Sequence, residues 1–299
     1  VKARIVAALG GNALLSGGDA AAQLGLVEEV ADSLAHIIQE GYQVVITHGN
    51  GPQVGLLLSQ QEPSPVHLPL DVCGAMSQGW LGYLLQQSLH QRLRQPVATL
   101  VTRVLVDEKD PSFQKPEKQI GFLLNQRQAE KLASQGKPVV KLKNGWRRVV
   151  PSPEPLEILE IQAIKTLIQA RVTTITCGGG GVPVIYRNHR FQGVRAVIDK
   201  DLTSQLLANS IQASILLILT DVEKVSLNYG KPSQQELDTL TPQEAQRYLE
   251  EGHFAPGTME PKIKAAIKFL ENGGEQAIIT SLHKTRQALQ GKAGTRIAQ

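Results

Sequence analysis

Ile5-Val6-Ala7-Ala8-Leu9-Gly10-Gly11-Asn12 is the stretch whose reading decides the fold. An unbroken apolar run without polar alternation reads as a strand buried on both faces, and a glycine turn closes it. A helix follows near 23–40, where Leu24, Val27, Ala31, Leu34 and Ile38 recur at helical spacing and Gly41 ends the pattern. Tyr42-Gln-Val-Val-Ile-Thr47 is then a second buried strand, running into His48-Gly-Asn-Gly-Pro52 and a helix that opens at Pro52 or Gln53, a place proline favours. This is a βαβ opening with its loops gathered at the strand ends.

Outward from it the same rhythm continues. Residues 72–91 are a helix apolar nearly all round, which calls for burial on more than one side, and a subunit interface is one supplier of the second side. Strand 97–106 follows. From Asp107 to Gln119 a Pro-, Lys- and Asp-rich segment loses the alternation, and 107–147 reads as an inserted subdomain. After Pro151-Ser-Pro153 come helix 157–170, strand 172–177, the run Gly178 to Gly181 and strand 182–186. Helix 201–211, strand 214–220, helices 242–252 and 259–272, strand 276–280 and helix 282–290 complete the chain. The fold class is α/β: a central, mainly parallel sheet sandwiched by helices, with a protruding subdomain.

Composition narrows the functions. With 299 residues, 41% hydrophobic and 19% charged, the chain is a folded protein with one large or two moderate cores, which sets disorder aside. Two cysteines in apolar stretches, Cys73 and Cys177, read as core thiols in a reducing cytoplasm. No stretch is able to cross a bilayer and no leader is read at the start, so neither membrane nor export is expected. The net charge of +4 forms no aromatic-interleaved basic stripe. The local cluster Lys141-Leu-Lys143-Asn-Gly-Trp146-Arg147-Arg148 reads as a hairpin with a solvated basic face, so a nucleic-acid partner is not expected and an anionic small molecule suits the balance.

Four glycine-rich turns are read at strand ends: Gly10-Gly11-Asn12, Gly49-Asn50-Gly51, Gly178 to Gly181, and Gly257-Thr-Met-Glu-Pro-Lys262. Backbone N–H groups that approach phosphate oxygens leave no room for side chains. One such turn is ordinarily only a turn; several on one α/β sheet converge where ligands of open sheets bind. None matches the phosphate loop of P-loop NTPases or the dinucleotide fingerprint, which disfavours both classes. Lys200 and Lys262 stand at helix starts, where a lysine is either a solvated cation or a phosphate ligand. Two cations at about 4 Å repel by about 4 kcal/mol at an effective dielectric near 20, so a shared site needs an anion between them. Asp201 supplies one, although Asp199 and Asp201 also suit helix-start carboxylates. Thr220-Asp221-Val222 ends another strand, where backbone can edge an adenine or ribose.

In order and along almost the whole chain, seven segments resemble the signatures of carbamate kinases. They are Ala8-Leu-Gly-Gly-Asn-Ala13, Thr47-His-Gly-Asn-Gly-Pro-Gln-Val-Gly55, Pro69-Leu-Asp-Val-Cys-Gly-Ala-Met-Ser-Gln-Gly79, Gly145-Trp-Arg-Arg-Val-Val-Pro-Ser-Pro153, Ala196-Val-Ile-Asp-Lys-Asp201, Leu219-Thr-Asp-Val222 and Gly257-Thr-Met-Glu-Pro-Lys262. The resemblance implies the amino-acid-kinase fold. It implies an N-terminal carbamate-binding and dimerisation domain over 1–198, including a lid over 107–147, and a nucleotide domain over 199–299. It implies reversible phosphoryl transfer between ATP and carbamate, giving ADP and carbamoyl phosphate, with ATP synthesis in arginine or related catabolism the expected direction. Mg²⁺ would come with the nucleotide, with no confident protein ligand and no prosthetic group.

Carried over position by position, the resemblance implies that Lys200 and Lys262 hold the transferring phosphoryl and Asp201 organises them. Gly10, Gly11, Asn12, Gly49, Asn50 and Gly51 would line the carbamate pocket. Thr220, Asp221, Tyr229, Met259 and Pro261, beside Lys200, Asp201 and Lys262, would meet the nucleotide. Lys118 resembles the subdomain lysine that swings over the substrate, and would deliver a charge that related kinases carry at the position of Ala8. Ser16 to Gln23 departs from the pattern and is a few residues short, Gln119 replaces a proline, Phe122-Leu-Leu124 differs from the usual sequence, and Glu260 puts a carboxylate near the γ-phosphate. The competing readings are a related kinase acting on a different small carboxylate and a non-catalytic module on the same fold.

Overall fold

The computed structural model describes residues 2–10, 20–61 and 64–299. Its centre is an eight-stranded sheet. The strand order is Thr239–Leu240, Thr295–Ala298, Gln276–Ser281, Ile215–Thr220, Arg4–Leu9, Gln43–His48, Thr173–Ile175, Val97–Thr99. From Gln276–Ser281 to Val97–Thr99 all neighbours run parallel, and the two edge strands at the other side run oppositely. Arg4–Leu9 therefore sits between a strand of the first half and one of the second, which is why its sequence is apolar without interruption.

Alternate residues of that strand feed two cores. Val6 and Ala8 pack with Ile164 and Ile168 of helix Ile161–Gln169, Leu207 and Ala208 of helix Lys200–Ser210, and Ile263 and Phe269 of helix Met259–Glu271. Ile5, Ala7 and Leu9 pack on the other face against Val27, Val30 and Leu34 of helix Ala20–Gln39 and Leu81, Leu85 and Leu89 of helix Leu70–His90. Burial at roughly 25 cal/mol per Å² of apolar surface makes these two layers the main stabilising term.

The expected strand 97–106 is two strands in two sheets. Val97–Thr99 joins the central sheet, and Arg103–Leu105 joins a four-stranded sheet with Val182–Arg187, Arg190–Gly193 and Glu157–Ile158. At the break the Gln78 side chain accepts from Thr102 N at 2.7 Å, which takes that N–H out of a ladder, and donates to Thr102 O at 3.2 Å, while the same carbonyl accepts from Val182 N at 2.8 Å and so opens the pairing in the second sheet. The expected helix 282–290 begins as a 3₁₀ turn over Leu282–Lys284 and is α-helical over Thr285–Leu289. The turn at Gly257 does not end a strand; it leads from the segment after helix Pro242–Glu250 into helix Met259–Glu271.

The subdomain is a three-stranded antiparallel sheet, Lys118–Leu124, Gly145–Val150 and Val139–Leu142, with helix Gln126–Ser134. Its sheet spans 118–150, displaced from the 107–147 read from composition, because Phe113 packs on the main core and Asp110 accepts from Glu154 N at 3.0 Å. Val54, Leu70, Cys73, Ile120 and Val150 form the small core that joins it to the body. Gly55 is required there, since a Cβ would stand 2.5 Å from the Gly121 Cα. Helix Leu70–His90 leaves Met76 43% and Tyr83 63% exposed, so one face of it lies open in the single chain.

Candidate functional site

Lys200 opens helix Lys200–Ser210, whose N-cap Asp199 accepts from Asp201 N at 2.9 Å. That cap turns the Asp201 side chain inward from the first helical turn. Asp201 Oδ1 lies 3.0 Å from Lys200 Nζ and Oδ2 lies 3.0 Å from Lys262 Nζ, with the three side chains 6%, 10% and 13% exposed. The expectation that both ammonium groups meet one anion is what the geometry gives. Burial works against the Asp201 charge, but the fields of Lys200 and Lys262 and their hydrogen bonds prevail and hold its carboxyl at about 2. Burial pushes the Lys200 ammonium below the ordinary lysine value, against the pull of Asp201.

Lys200 also ties this cluster to the first turn. Its Nζ donates to Leu9 O at 2.9 Å, and the same carbonyl accepts from Gly49 N at 3.0 Å. Gly10 N in turn donates to Leu219 O at 2.9 Å, beside Thr220. Thus Gly10, Gly49, Lys200 and the end of strand Ile215–Thr220 are one hydrogen-bonded neighbourhood. Gly11 and Asn12, expected in the same pocket, lie outside the described residues, as do Ser16 to Asp19 of the shortened segment.

Asn50 precedes helix Gly51–Gln60 but does not cap it; its Nδ2 donates to Ser77 Oγ at 2.8 Å. Thr258, before helix Met259–Glu271, likewise makes no side-chain cap. By contrast Asn125 and Thr241 form complete capping boxes on their helices. No side chain takes the first-turn N–H groups at the Gly51–Gln60 start, the arrangement by which a helix N-terminus receives an anion, whereas at the Met259–Glu271 start Glu260 N already donates to Ala255 O at 3.2 Å and Pro261 has no N–H.

Lys118 Nζ donates to Asp199 Oδ2 at 2.6 Å, so the first strand of the subdomain delivers an ammonium to the residue before Lys200. Three lysines against two aspartates leave one positive charge in excess. The remaining expected nucleotide residues are spread around this centre. Thr220 and Asp221 follow strand Ile215–Thr220, Met259 packs partly against the main core, and Pro261 lies in the first turn that carries Lys262. Tyr229, 66% exposed, lies in the turn joining strands Val225–Leu227 and Gln235–Leu237.

Two readings are corrected. The run Gly178 to Gly181 owes its glycines to close packing: a Cβ would come within 2.5 Å of the His48 ring at Gly178, 2.0 Å of Asn50 at Gly179 and 2.5 Å of Ile198 O at Gly180. Positive φ at Gly179, Gly180 and Gly181 adds to the requirement. The run is therefore a hub that fixes the Asn50 loop against the segment entering Asp199. Glu260 turns along its helix to Lys264, 2.6 Å away, which offsets the charge expected to face phosphate.

The sequence reading did not single out the residues that hold these parts in register. Thr47 Oγ1 and Ser204 Oγ are 2.7 Å apart, and Thr203 Oγ1 donates to Gly180 O at 2.9 Å. His48 is fully buried, which drives its pKa down to about 4 and keeps the ring neutral. Gln53 is 0% exposed, yet neither atom of its amide finds a hydrogen-bond partner among the described residues. Its signal was its place in the Thr47 to Gly55 segment. Among the described residues no group of three or more His, Cys, Asp or Glu could hold a metal ion, and the Asp201 carboxylate is taken by two ammonium groups.

Comparison with known proteins shows the family. The model of the amino acid kinase family matches residues 3–281. The carbamate kinase of Pyrococcus horikoshii is 47% identical, with 98% of each chain covered. The carbamate kinase-like protein YqeA of Escherichia coli is 45% identical over 99% of each. A solved structure of carbamate kinase from Giardia lamblia bound to AMP-PNP is 44% identical and superposes with a TM-score of 0.91 over 99% of this chain and 98% of that one. The chain belongs to the amino acid kinase family, and its full-length relatives group it with the carbamate kinases.

Proposed function

We propose that this chain is an ATP-dependent carbamate kinase, moving a phosphoryl group reversibly between ATP and carbamate. The observation that carries the reading is the Lys200–Asp201–Lys262 cluster beside Gly10 and the Asn50 loop, in a chain with full-length carbamate kinase relatives. Phosphoryl transfer passes through a loose transition state, so the protein's work is alignment and charge neutralisation. Lys200 and Lys262 flank the travelling phosphoryl group, and Asp201 holds the two ammonium groups in place between turnovers. Gly10, Gly11, Asn12, Gly49, Asn50 and Gly51 line the pocket that receives the small acceptor, with the Gly10 and Gly49 N–H groups spent on Leu219 O and Leu9 O in holding the turns. Thr220, Asp221, Tyr229, Met259 and Pro261 meet the nucleotide.

Lys118 adds charge over the acceptor from the subdomain, which serves as a lid. Carbamate decomposes in water, so excluding solvent has a chemical purpose. Mg²⁺ enters as the partner of the nucleotide phosphates, where such ions keep their waters; among the described residues no cluster of His, Cys, Asp or Glu forms a metal cage. We assign residues 1–198 to acceptor binding and 199–299 to nucleotide binding. The exposed Met76 and Tyr83 on helix Leu70–His90 support a homodimer through the first half. Among the described residues no helix is long and apolar enough to cross a membrane, and a cytoplasmic site of action in arginine or related catabolism completes the proposal.

The test is a coupled assay for ATP formed from carbamoyl phosphate and MgADP, with acetyl phosphate as control donor and glutamate and aspartate as alternative acceptors in reverse. Turnover of carbamoyl phosphate well above acetyl phosphate, with the amino acids refused, is expected. Preference for another acyl phosphate would refute the assignment.

A further inference from the structure

A cavity of about 790 Å³ opens between the subdomain and the body. None of Gly10, Asn50, Lys118, Lys200, Asp201 and Lys262 lines it, so it is separate from the phosphoryl centre. Leu58 and Leu70 from the body and Ile120 and Leu132 from the subdomain give it apolar walls. Arg148 of strand Gly145–Val150, Arg195, Lys131 and Lys137 supply positive charge, and among the described residues no carboxylate lines it.

What sets these two arginines apart is their place together in the wall of a cavity. Arg92, Arg103, Arg187, Arg247 and Arg286 each reach a carboxylate elsewhere on the molecule. Arg148 and Arg195 form no ion pair among the described residues, and Arg148 Nε is buried without a hydrogen-bond partner there. Burial, and then the field of Arg195, pushes the Arg148 guanidinium below its ordinary value. Like charges side by side in a partly desolvated wall are unfavourable until an anion lies between them. Guanidinium groups suit carboxylate and phosphate oxygens, which they bind in pairs. The size falls within the range of small-molecule sites, about 300–1,000 Å³.

We propose that this cavity is an effector site for a small amphiphilic anion, a carboxylate or phosphate group on an apolar body, with its oxygens held between Arg148 and Arg195. Such a ligand bridges subdomain and body. Ile120 lines the cavity on the strand that starts at Lys118, so an occupant steadies the strand that carries the Lys118 ammonium to Asp199. Occupancy therefore lowers the KM for carbamoyl phosphate. That last step rests on the function proposed above; the binding does not.

The experiment is isothermal titration of the full chain with octanoate and octyl phosphate, against octanol and inorganic phosphate as controls. At least one amphiphilic anion is expected to bind about tenfold or more tightly than both controls, and Arg195→Met and Arg148→Met to lose about tenfold, while keeping the ATP-forming activity. Tighter octanoate assigns a carboxylate head, and tighter octyl phosphate a phosphate head. Equal binding of octanol, no binding of either anion, or unchanged affinity in the variants overturns the site. Should Arg148→Met fail to fold, Arg195→Met decides. A KM lowered about twofold or more by saturating anion supports the effector role, and an unchanged KM overturns it. The calorimetric result stands whether or not the chain acts on carbamoyl phosphate.

Discussion

Lys118 and Asp199, 81 positions apart, meet at 2.6 Å between Nζ and Oδ2. The contact joins the first strand of the subdomain to the cap of the helix that begins with Lys200, so the pose of the subdomain and the phosphoryl centre are linked through one ion pair. The lysine side chain is 31% exposed, and solvent screening limits its share of stability to about 1 kcal/mol or less. Lys118→Ala is therefore expected to melt near the wild type and to lose about tenfold or more in kcat/KM for carbamoyl phosphate. Steady-state kinetics beside a thermal melt check this; an unaltered kcat/KM refutes the role.

Asp201 lies between two buried ammonium groups. Removing its charge in Asp201→Asn leaves both without their common partner, and breaking a buried pair in this way costs about 3–5 kcal/mol. A large drop in the denaturation midpoint is expected, partly reversed by added phosphate, which takes the same place between the lysines. A variant as stable as the wild type would show that the cluster is not held together by this carboxylate.

The acid limb of stability follows from the same residue. Its folded-state pKa of about 2 lies below the ordinary carboxyl value of 3.8, so its stabilisation is complete above that higher value and disappears as pH falls through about 2. Linkage makes the effect about 2 kcal/mol. Denaturant titrations between those two pH values should show the wild type losing stability more steeply than Asp201→Asn. Parallel slopes would contradict the shift.

Gln53 is a buried amide without partners among the described residues, a situation that is unfavourable unless a ligand supplies the bonds. Gln53→Met keeps the volume and removes the polar atoms. It is expected to hold or raise the melting temperature and to lower turnover about tenfold. A destabilised variant with full activity would assign Gln53 a purely structural part.

Much of the fold was legible because its strands sit inside a parallel sheet. Ile5 to Leu9, Tyr42 to Thr47 and Ser214 to Thr220 carry no polar alternation, and turn residues mark where they stop. The split near Thr102 was not legible, because it depends on Gln78 taking the Thr102 N–H and on Val182 arriving to pair with Thr102 O. At the site, Lys200, Asp201 and Lys262 could be grouped by charge logic and helix starts, since two cations need an anion. The pairing of Lys118 with Asp199 depends on the docking of a subdomain, and the packing role of Gly178 to Gly181 depends on His48, Asn50 and Ile198 arriving from other parts of the chain. Neither is written in local spacing.

The most direct test of the account is the rate of ATP formation from carbamoyl phosphate and MgADP in Lys200→Met and Lys262→Met, each first shown to be folded by its thermal transition. The account expects each to lose about 10²- to 10³-fold in turnover, as happens when one preorganised charge-stabilising donor is removed. Turnover within about twofold of the wild type in either folded variant would contradict it.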